Sequence, residues 1–350
     1  MHNTKDEILV WLPSPMGDAV LCTPALRAIR EHFGSSAICF LARPAVREIL
    51  SPNPFNDTWL TFQNGNPFKI AQMLRPRKFT QAILFKNSFA SALAVFLAQI
   101  PSRVGYAREG RAPLLTSRLH PPKISLAGFK PSSMIDYYLA IASWIGCDTF
   151  DRNLELCVDP RHAETFKARL AELFESRGPI VVMVPGGAFG PSKCWPPDRF
   201  ARTADWLILK YGAEVVVSVS PDAAEKHIAN MIQQSSANKL INLAERPLTL
   251  GELKALFSHA ELVISNDTGP RHIAVALRRK IVTLFGPNDP AWTNSGWEHE
   301  IQLIGRAPCA PCARPVCREK QHLCMEAITV QMVCDAAKKL IENNTERCKP

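Results

Sequence analysis

The 350-residue sequence has no apolar run long enough to cross a bilayer. Its longest, Phe89 to Ile100, falls well short of the ~20 residues that a spanning helix needs. It has no signal-peptide character either: Met1-His-Asn-Thr-Lys-Asp-Glu7 is polar and leads straight into a strand. No G-x-G-x-x-G fingerprint follows the first strand, and Arg43 stands after the second strand where a ribose-binding acid would sit, which excludes a dinucleotide site. The 41 Lys and Arg exceed the 32 Asp and Glu by nine, yet they form no basic tail. That balance points to anionic partners without making nucleic acid the default. The 11 cysteines are odd in number, and six lie in apparent core elements, which suggests reduced thiols in a cytoplasmic protein.

What is present is a large core. A hydrophobic fraction of 47% over this length favours two domains. We expect boundaries at 1–160 and 161–325, with a final helix in 326–350 bridging back to the first domain. Glu7 to Leu12 reads as a buried strand, Pro13-Ser-Pro-Met-Gly-Asp18 as the turn after it, and Asp18 to Phe33 as a helix that Pro24 kinks or breaks. Ala37 to Leu41 completes a βαβ unit. Ala82 to Phe85 is another strand, leading through Lys86, Asn87 and Ser88 into an apolar helix. Residues 107–132 read as a loop-rich basic segment carrying Arg108, Arg111, Arg118, His120, Lys123 and Lys130. It is either a solvated surface or a groove for a phosphorylated or carboxylated acceptor. A helix from His162 to Glu175 opens the second half, which repeats the architecture from Ile180 onward.

The densest chemistry lies in Glu261-Leu-Val-Ile-Ser-Asn-Asp-Thr-Gly-Pro-Arg-His-Ile-Ala-Val-Ala-Leu277. A buried strand ends in a polar turn, and Pro270 suits the first turn of the following helix. Asp267, Thr268, Gly269, Arg271 and His272 thus gather at one helix N-terminus, whose unpaired N–H groups and partial positive charge can hold a phosphate. An ordinary helix cap by Asp267 or Thr268 is the alternative. Two doubly wound halves, each with a polar or Gly-rich first turn, would leave a cleft at the carboxyl ends of their sheets.

Three motifs in this order resemble one family, the ADP-heptose glycosyltransferases of lipopolysaccharide core synthesis, glycosyltransferase family 9. They are Leu12-Pro-Ser-Pro-Met-Gly-Asp-Ala-Val-Leu-Cys-Thr-Pro-Ala-Leu26, Pro185-Gly-Gly-Ala-Phe-Gly-Pro-Ser-Lys-Cys-Trp-Pro196, and Ser265-Asn-Asp-Thr-Gly-Pro-Arg-His272 with Phe285-Gly-Pro-Asn-Asp-Pro290. Lys86-Asn-Ser-Phe and Arg103-Val-Gly-Tyr look like that family too. The resemblance implies an α/β chain of GT-B architecture, two doubly wound Rossmann-like domains facing a central cleft. It implies acceptor binding by the first domain, nucleotide-sugar binding by the second, and inverting transfer without a catalytic metal or other cofactor. The implied partners are ADP-heptose, a lipid A–core acceptor and the inner face of the cytoplasmic membrane, with no nucleic acid. Cys194 departs from the family where a basic residue is common, and Pro270-Arg271 replaces an apolar pair.

On that footing Asp18 is the expected general base, ionised and weakened by its helix N-terminus. Capping is its alternative role. Lys193, the backbone of Gly186 to Gly190 and the terminus at 269–272 would meet the leaving-group charge, the glycines letting backbone approach phosphate. Gly186, Gly187, Lys193, Glu225, Asp267, Thr268, Gly269 and His272 are therefore the donor candidates. Asp267 is expected against sugar hydroxyls, and Asp222 or preferably Glu225 on the ribose. Gly17, Lys86, Asn87, Ser88, Arg108 and Arg111 are the acceptor candidates.

Cys309-x2-Cys312-x4-Cys317-x6-Cys324 occupies a Pro-rich loop, where four thiolates would suit a structural zinc or iron. Reduced thiols or a local disulfide are the alternatives. Two other functions compete with the leading one: a GT-B transferase using another nucleotide sugar, and a metal-stabilised nucleic-acid-binding module. The second lacks a recognition helix and aromatic stacking platforms.

Overall fold

The computed structural model describes residues 6–342 except 122, 126–127, 130, 174–177 and 320. Lys130 and Glu175 therefore lie outside the described residues. The chain divides into two compact units, one running to Cys157 with Ala291–Ser295 added, the other comprising Val158–Pro290 and the residues from Gly296 on.

The first unit contains β1 (Glu7–Trp11), α1 (Met16–Leu21), α2 (Thr23–His32), β2 (Ala37–Ala42), α3 (Pro44–Leu50), β3 (Thr58–Thr61), α4 (Pro67–Leu74), β4 (Gln81–Leu84) and α5 (Phe89–Leu97). It continues with β5 (Ser102–Tyr106), β6 (Ser117–Leu119), a small hairpin of β7 (Lys123–Ser125) and β8 (Gly128–Phe129), and α6 (Met134–Trp144). The second unit contains α7 (Pro160–Leu173), β9 (Ile180–Val184), α8 (Pro197–Tyr211), β10 (Glu214–Val217), α9 (Ala223–Ser235), β11 (Ile241–Asn242) and α10 (Leu250–His259). Then come β12 (Leu262–Asn266), α11 (Gly269–Ala276), β13 (Lys280–Phe285), β14 (Glu300–Ile304), α12 (Leu323–Glu326) and α13 (Val330–Glu342).

Each unit is built on a parallel six-stranded sheet with the same order, β3-β2-β1-β4-β5-β6 in the first and β11-β10-β9-β12-β13-β14 in the second. In both, the chain moves outward from the first strand, returns, and continues on its other side. Such a sheet has a switch point between its two central strands, where the turns leaving their carboxyl ends diverge and leave a crevice. In the first unit those turns follow β1 and β4; in the second they follow β9 and β12. The central strands are buried on both faces, which explains their unbroken apolar runs.

Local sequence accounts for five of the helix starts among the described residues. Ser88, Asn66, Ser133 and Asp222 each accept a main-chain N–H at the start of α5, α4, α6 and α9, and Thr249 and Glu252 form a capping box on α10. Pro24 does more than kink its helix: the chain breaks at Cys22 into α1 and α2, with Pro24 in the first turn of the second. The segment 107–132 is more regular than its weak periodicity suggests, since it contributes edge strand β6 and the β7–β8 hairpin.

The last helix, α13, packs on α8, β12, β13 and β14 of its own unit. Its stripe of Val333, Cys334, Ala336, Ala337 and Leu340 is buried there, and that apolar match fixes its place.

Candidate active site

In the first unit the switch-point turns are Leu12–Asp18 and Phe85–Ser88. Lys86 Nζ donates to Ser14 Oγ across them at 2.8 Å. Burial and then the charge of Arg43 lower the Lys86 pKa. Gly17 and Asp18 lie in α1, a six-residue helix whose cap, Pro15, offers no side-chain bond. Asp18 is the informative residue. Burial pushes its carboxyl up to about 6, against the expectation that the helix N-terminus would hold it ionised and weakly basic. Such a short helix has little dipole to oppose desolvation. The Asp18 charge is felt by the buried Cys22 and Tyr138, so an apolar wall backs the carboxyl.

The remaining acceptor candidates form a framework. Arg111 is fully buried, which lowers its pKa to about 10. Its Nε donates to the Tyr106 carbonyl at 2.7 Å, Nη1 to the Lys86 carbonyl, and Nη2 to Asn87 Oδ1 at 2.8 Å. It holds the Lys86–Asn87 turn in shape. Asn87 passes the network on, donating through Nδ2 to the Tyr137 hydroxyl at 2.8 Å. Ser88 caps α5, and the half-buried Arg108 interacts with Tyr137. Neither Tyr137, which stacks on Tyr106 at 3.9 Å, nor Tyr138 carried any sequence signal as a site residue.

In the second unit the turns after β9 and β12 are joined by a buried ion pair. Lys193 Nζ lies 2.6 Å from Asp267 Oδ2 and 2.8 Å from the Asp267 carbonyl, and 4.7 Å from the centre of the Phe189 ring. Asn266 Nδ2 donates to the Pro185 carbonyl at 2.6 Å, tying the same two turns at the main chain. Asp267 has further partners in Arg271 Nη1 at 3.4 Å and Asn288 Nδ2 at 3.3 Å. Burial raises its pKa, but Lys193 and Arg271 together overcome that and hold it below the usual value.

Arg271 is fully buried and gripped from the other side by Glu300, with Nε 2.6 Å from Oε1 and Nη2 3.1 Å from Oε2. Thr283 and Gln302 donate to the same carboxylate at 2.6 and 3.1 Å. The Glu300 pKa falls because Arg271, with these donors, outweighs burial. His272 is driven down to about 3 by burial and by Arg271, so its ring is neutral at physiological pH. Around this network His272 Nδ1, Thr268 Oγ1, Asn266 Oδ1 and Asn288 Oδ1 are buried without a hydrogen-bond partner among the described residues. Of these residues Asn288 lines a cavity of about 370 Å³ at the carboxyl ends of β13 and β14, along with Gly286, Gly305 and Arg306.

A Cβ on Gly186 would lie 2.3 Å from the Glu225 carboxyl carbon, and one on Gly190, at φ 145°, would lie 2.3 Å from the Pro315 carbonyl oxygen. Both glycines thus make room for neighbouring protein groups. Glu225 accepts from the Gly187 N–H at 3.1 Å and the Ser220 N–H at 2.9 Å, while Asp222 is occupied in capping α9. Gly269 begins α11 behind Thr268.

The cysteine loop does not assemble the expected metal centre. Among the described residues no three His, Cys, Asp or Glu side chains are placed to hold a metal ion. Cys324 is buried near Cys309 and Cys317, whereas Cys309 is exposed and Cys312 half-exposed. All four are free thiols. What the loop does is brace the Lys193 turn: Ser192 Oγ donates to the Arg314 carbonyl at 2.5 Å, and Ser192 N to the Pro315 carbonyl at 3.2 Å. Trp195, fully buried, donates to the Ile328 carbonyl at 2.9 Å and fixes the far end of the turn.

Comparison with known proteins gives a consistent picture. The model of glycosyltransferase family 9 (heptosyltransferase) matches residues 67–323. The chain is 28% identical over 301 residues to lipopolysaccharide heptosyltransferase 2 of Salmonella typhimurium, covering 82% of this chain and 84% of the relative. A family 9 glycosyl transferase from Veillonella parvula superposes with a TM-score of 0.83 at 20% identity, over 98% of this chain and 99% of that one. The ADP-heptose LPS heptosyltransferase II of E. coli does so with 0.78 at 24%, over 97% and 99%. The fold is thus the GT-B fold of these enzymes, and the nucleic-acid-binding alternative is set aside. No described helix is long and apolar enough to cross a membrane.

Proposed function

Because the chain belongs to glycosyltransferase family 9, the heptosyltransferases, we propose that it moves a heptose from ADP-heptose to an inner-core sugar of a lipopolysaccharide precursor, with inversion at the anomeric carbon. The second unit takes the donor and the first takes the acceptor. One observation carries the donor assignment: a cation, Lys193, and the buried partnerless polar atoms of Thr268, His272 and Asn288 converge at one switch point. Buried polar atoms are costly when unbonded, so such a cluster suits a polar ligand.

In the proposed reaction an acceptor hydroxyl oxygen forms a bond to the anomeric carbon as the bond from that carbon to the diphosphate oxygen breaks. The hydroxyl proton passes to Asp18, whose pKa of about 6 makes it a stronger base than an exposed carboxylate while leaving it ionised at neutral pH. The electron pair leaves with ADP. Lys193, main-chain N–H groups at the start of α11 and the neutral His272 ring meet the charge that develops there, a role that needs no metal ion. Glu225, in the first turn of α9 and fixed by the N–H groups of Gly187 after β9 and Ser220 after β10, is suited to the ribose hydroxyls. The lipid nature of such an acceptor implies work at the inner face of the cytoplasmic membrane, with the enzyme peripheral to it.

Thermal unfolding with ADP, UDP, GDP and ADP-heptose tests the reading, since a ligand held only by the folded chain raises its stability. ADP and ADP-heptose are expected to raise the midpoint more than UDP or GDP. A larger shift with UDP or GDP would move the assignment to another nucleotide sugar.

A further inference from the structure

Residues 58–135 carry eleven Lys and Arg but one acid, Glu109. This span builds α4 and α5 with β3 at one edge of the first sheet and β4, β5 and β6 on the other side of β1, and α4 and α5 themselves contain no acidic residue. Its helices α4 and α5 pack on each other and bury Ile70, Ala71, Leu74, Ala92 and Val95 against the sheet. Their outer side does not follow the usual polar pattern. A groove of about 430 Å³ is lined by Phe68, Ala71, Gln72, Arg75, Pro76 and Leu97. Phe68 is 67% exposed at its rim, and Phe96 on α5 is 46% exposed.

Cations frame these rings. Arg75 donates to the Leu97 carbonyl at 2.9 Å, which fixes its charge on the groove wall. The Arg103 guanidinium lies 5.4 Å from the centre of the Phe96 ring. Lys69 and Lys78 are exposed, and neither makes an ion pair among the described residues. Arg77 is excluded from the set because Glu7 neutralises it.

We propose that this α4–α5 face docks on an anionic lipid surface, with Phe68 and Phe96 entering the headgroup layer and Lys69, Arg75 and Lys78 meeting lipid phosphates. Aromatic rings favour that layer, and long cationic side chains keep their heads at phosphate level while their stems cover apolar surface. A second copy of the same face would bring like charges together. A nucleic acid would leave the aliphatic wall of Ala71, Pro76 and Leu97 without use. The inference deepens the reading that the acceptor is lipid-borne, because it names the surface that would bring the first unit to that acceptor.

The test is co-sedimentation of the full chain with phosphatidylcholine vesicles, with and without phosphatidylglycerol. Three proteins are compared: wild type, Phe68→Ser with Phe96→Ser, and Lys69→Gln with Lys78→Asn. Wild type is expected on the anionic vesicles only, with binding that weakens as salt rises. Each lost cation should lower partition about 5-fold, the equivalent of ~1 kcal/mol. The double Phe variant should lose about 10-fold or more, as expected for apolar area withdrawn from the interface. Turnover on an acceptor stripped of its acyl chains should stay at the wild-type level in both variants. Equal binding to neutral and anionic vesicles, or variants that bind like wild type, overturns the proposal. So does tighter binding to a polynucleotide than to the anionic vesicles, or a self-association that Phe68→Ser abolishes. Vesicle binding without any transfer by wild type would instead sink the transferase reading and leave the docking face standing.

Discussion

Lys193 Nζ lies 2.6 Å from Asp267 Oδ2, with both side chains buried. A diphosphate that recruits Lys193 must therefore draw it from an existing partner. Arg271 and Asn288 also hold Asp267, so the carboxylate is not stranded when Lys193 turns away. Lys193→Ala should lower kcat about 10²–10³-fold, as for loss of a charged donor to a developing anion, and leave the acceptor KM nearly unchanged. Initial rates at varied acceptor check this, and a near-normal kcat removes Lys193 from the chemistry.

Asp18 yields a pH prediction. Its folded-state pKa of about 6 exceeds the unfolded value of 3.8, so the native chain binds the extra proton between them. Stability is then higher below that window, falls as pH rises through it, and stays lower above, by on the order of 3 kcal/mol. Asp18→Asn should remove this dependence and be more stable than wild type at pH 7 in urea unfolding. The acid limb of kcat/KM near pH 6 should vanish with it, transfer should fall about 10²–10⁴-fold, and ADP affinity should hold. Loss of ADP binding with turnover preserved would take the base role away from Asp18.

The buried pair of Arg271 and Glu300 should behave as a unit. Arg271→Met leaves two carboxylates buried beside fewer cations and should cost about 3–5 kcal/mol. Adding Glu300→Gln should recover more than half of that loss. Denaturant melts of the two single variants and the double variant give the coupling directly. Additive costs would mean that the pair is not coupled as its geometry indicates.

Gly190→Ala introduces a methyl group into the Pro315 carbonyl at a backbone angle unsuited to L side chains. Strain of about 1–3 kcal/mol is expected, with the cysteine loop pushed off the turn that carries Lys193. ADP affinity should drop along with stability. A variant with wild-type ADP affinity would show that the loop does not support the donor turn.

The sequence was most legible where buried parallel strands end in polar turns. Leu12–Asp18 and Asn266–His272 could be placed at the carboxyl ends of strands because the apolar runs before them are unbroken and Pro270 marks a helix start. It was least legible where roles depend on distant partners. Arg111 reads as an acceptor candidate in a basic segment, and nothing local announces that the Tyr106 and Lys86 carbonyls and the Asn87 amide oxygen take up its N–H groups. Glu300 carries no local signal, because β14 is an edge strand with alternating polar residues and its partner Arg271 is 29 positions away. The sign of the Asp18 shift comes from burial against elements that include α6, which no turn motif encodes. The four cysteines have the spacing of a ligand set, but spacing does not fix where Cys309 and Cys312 point.

The most direct measurement is transfer itself: the purified chain incubated with ADP-heptose and a core acceptor ending in the inner-core sugar, with products followed by mass spectrometry and anomeric NMR. The account predicts one heptose added, inverted anomeric configuration, stoichiometric ADP, and loss of product formation in Asp18→Asn while ADP-heptose still binds. Retention of configuration, or transfer from a uridine or guanosine donor in preference to ADP-heptose, would contradict it.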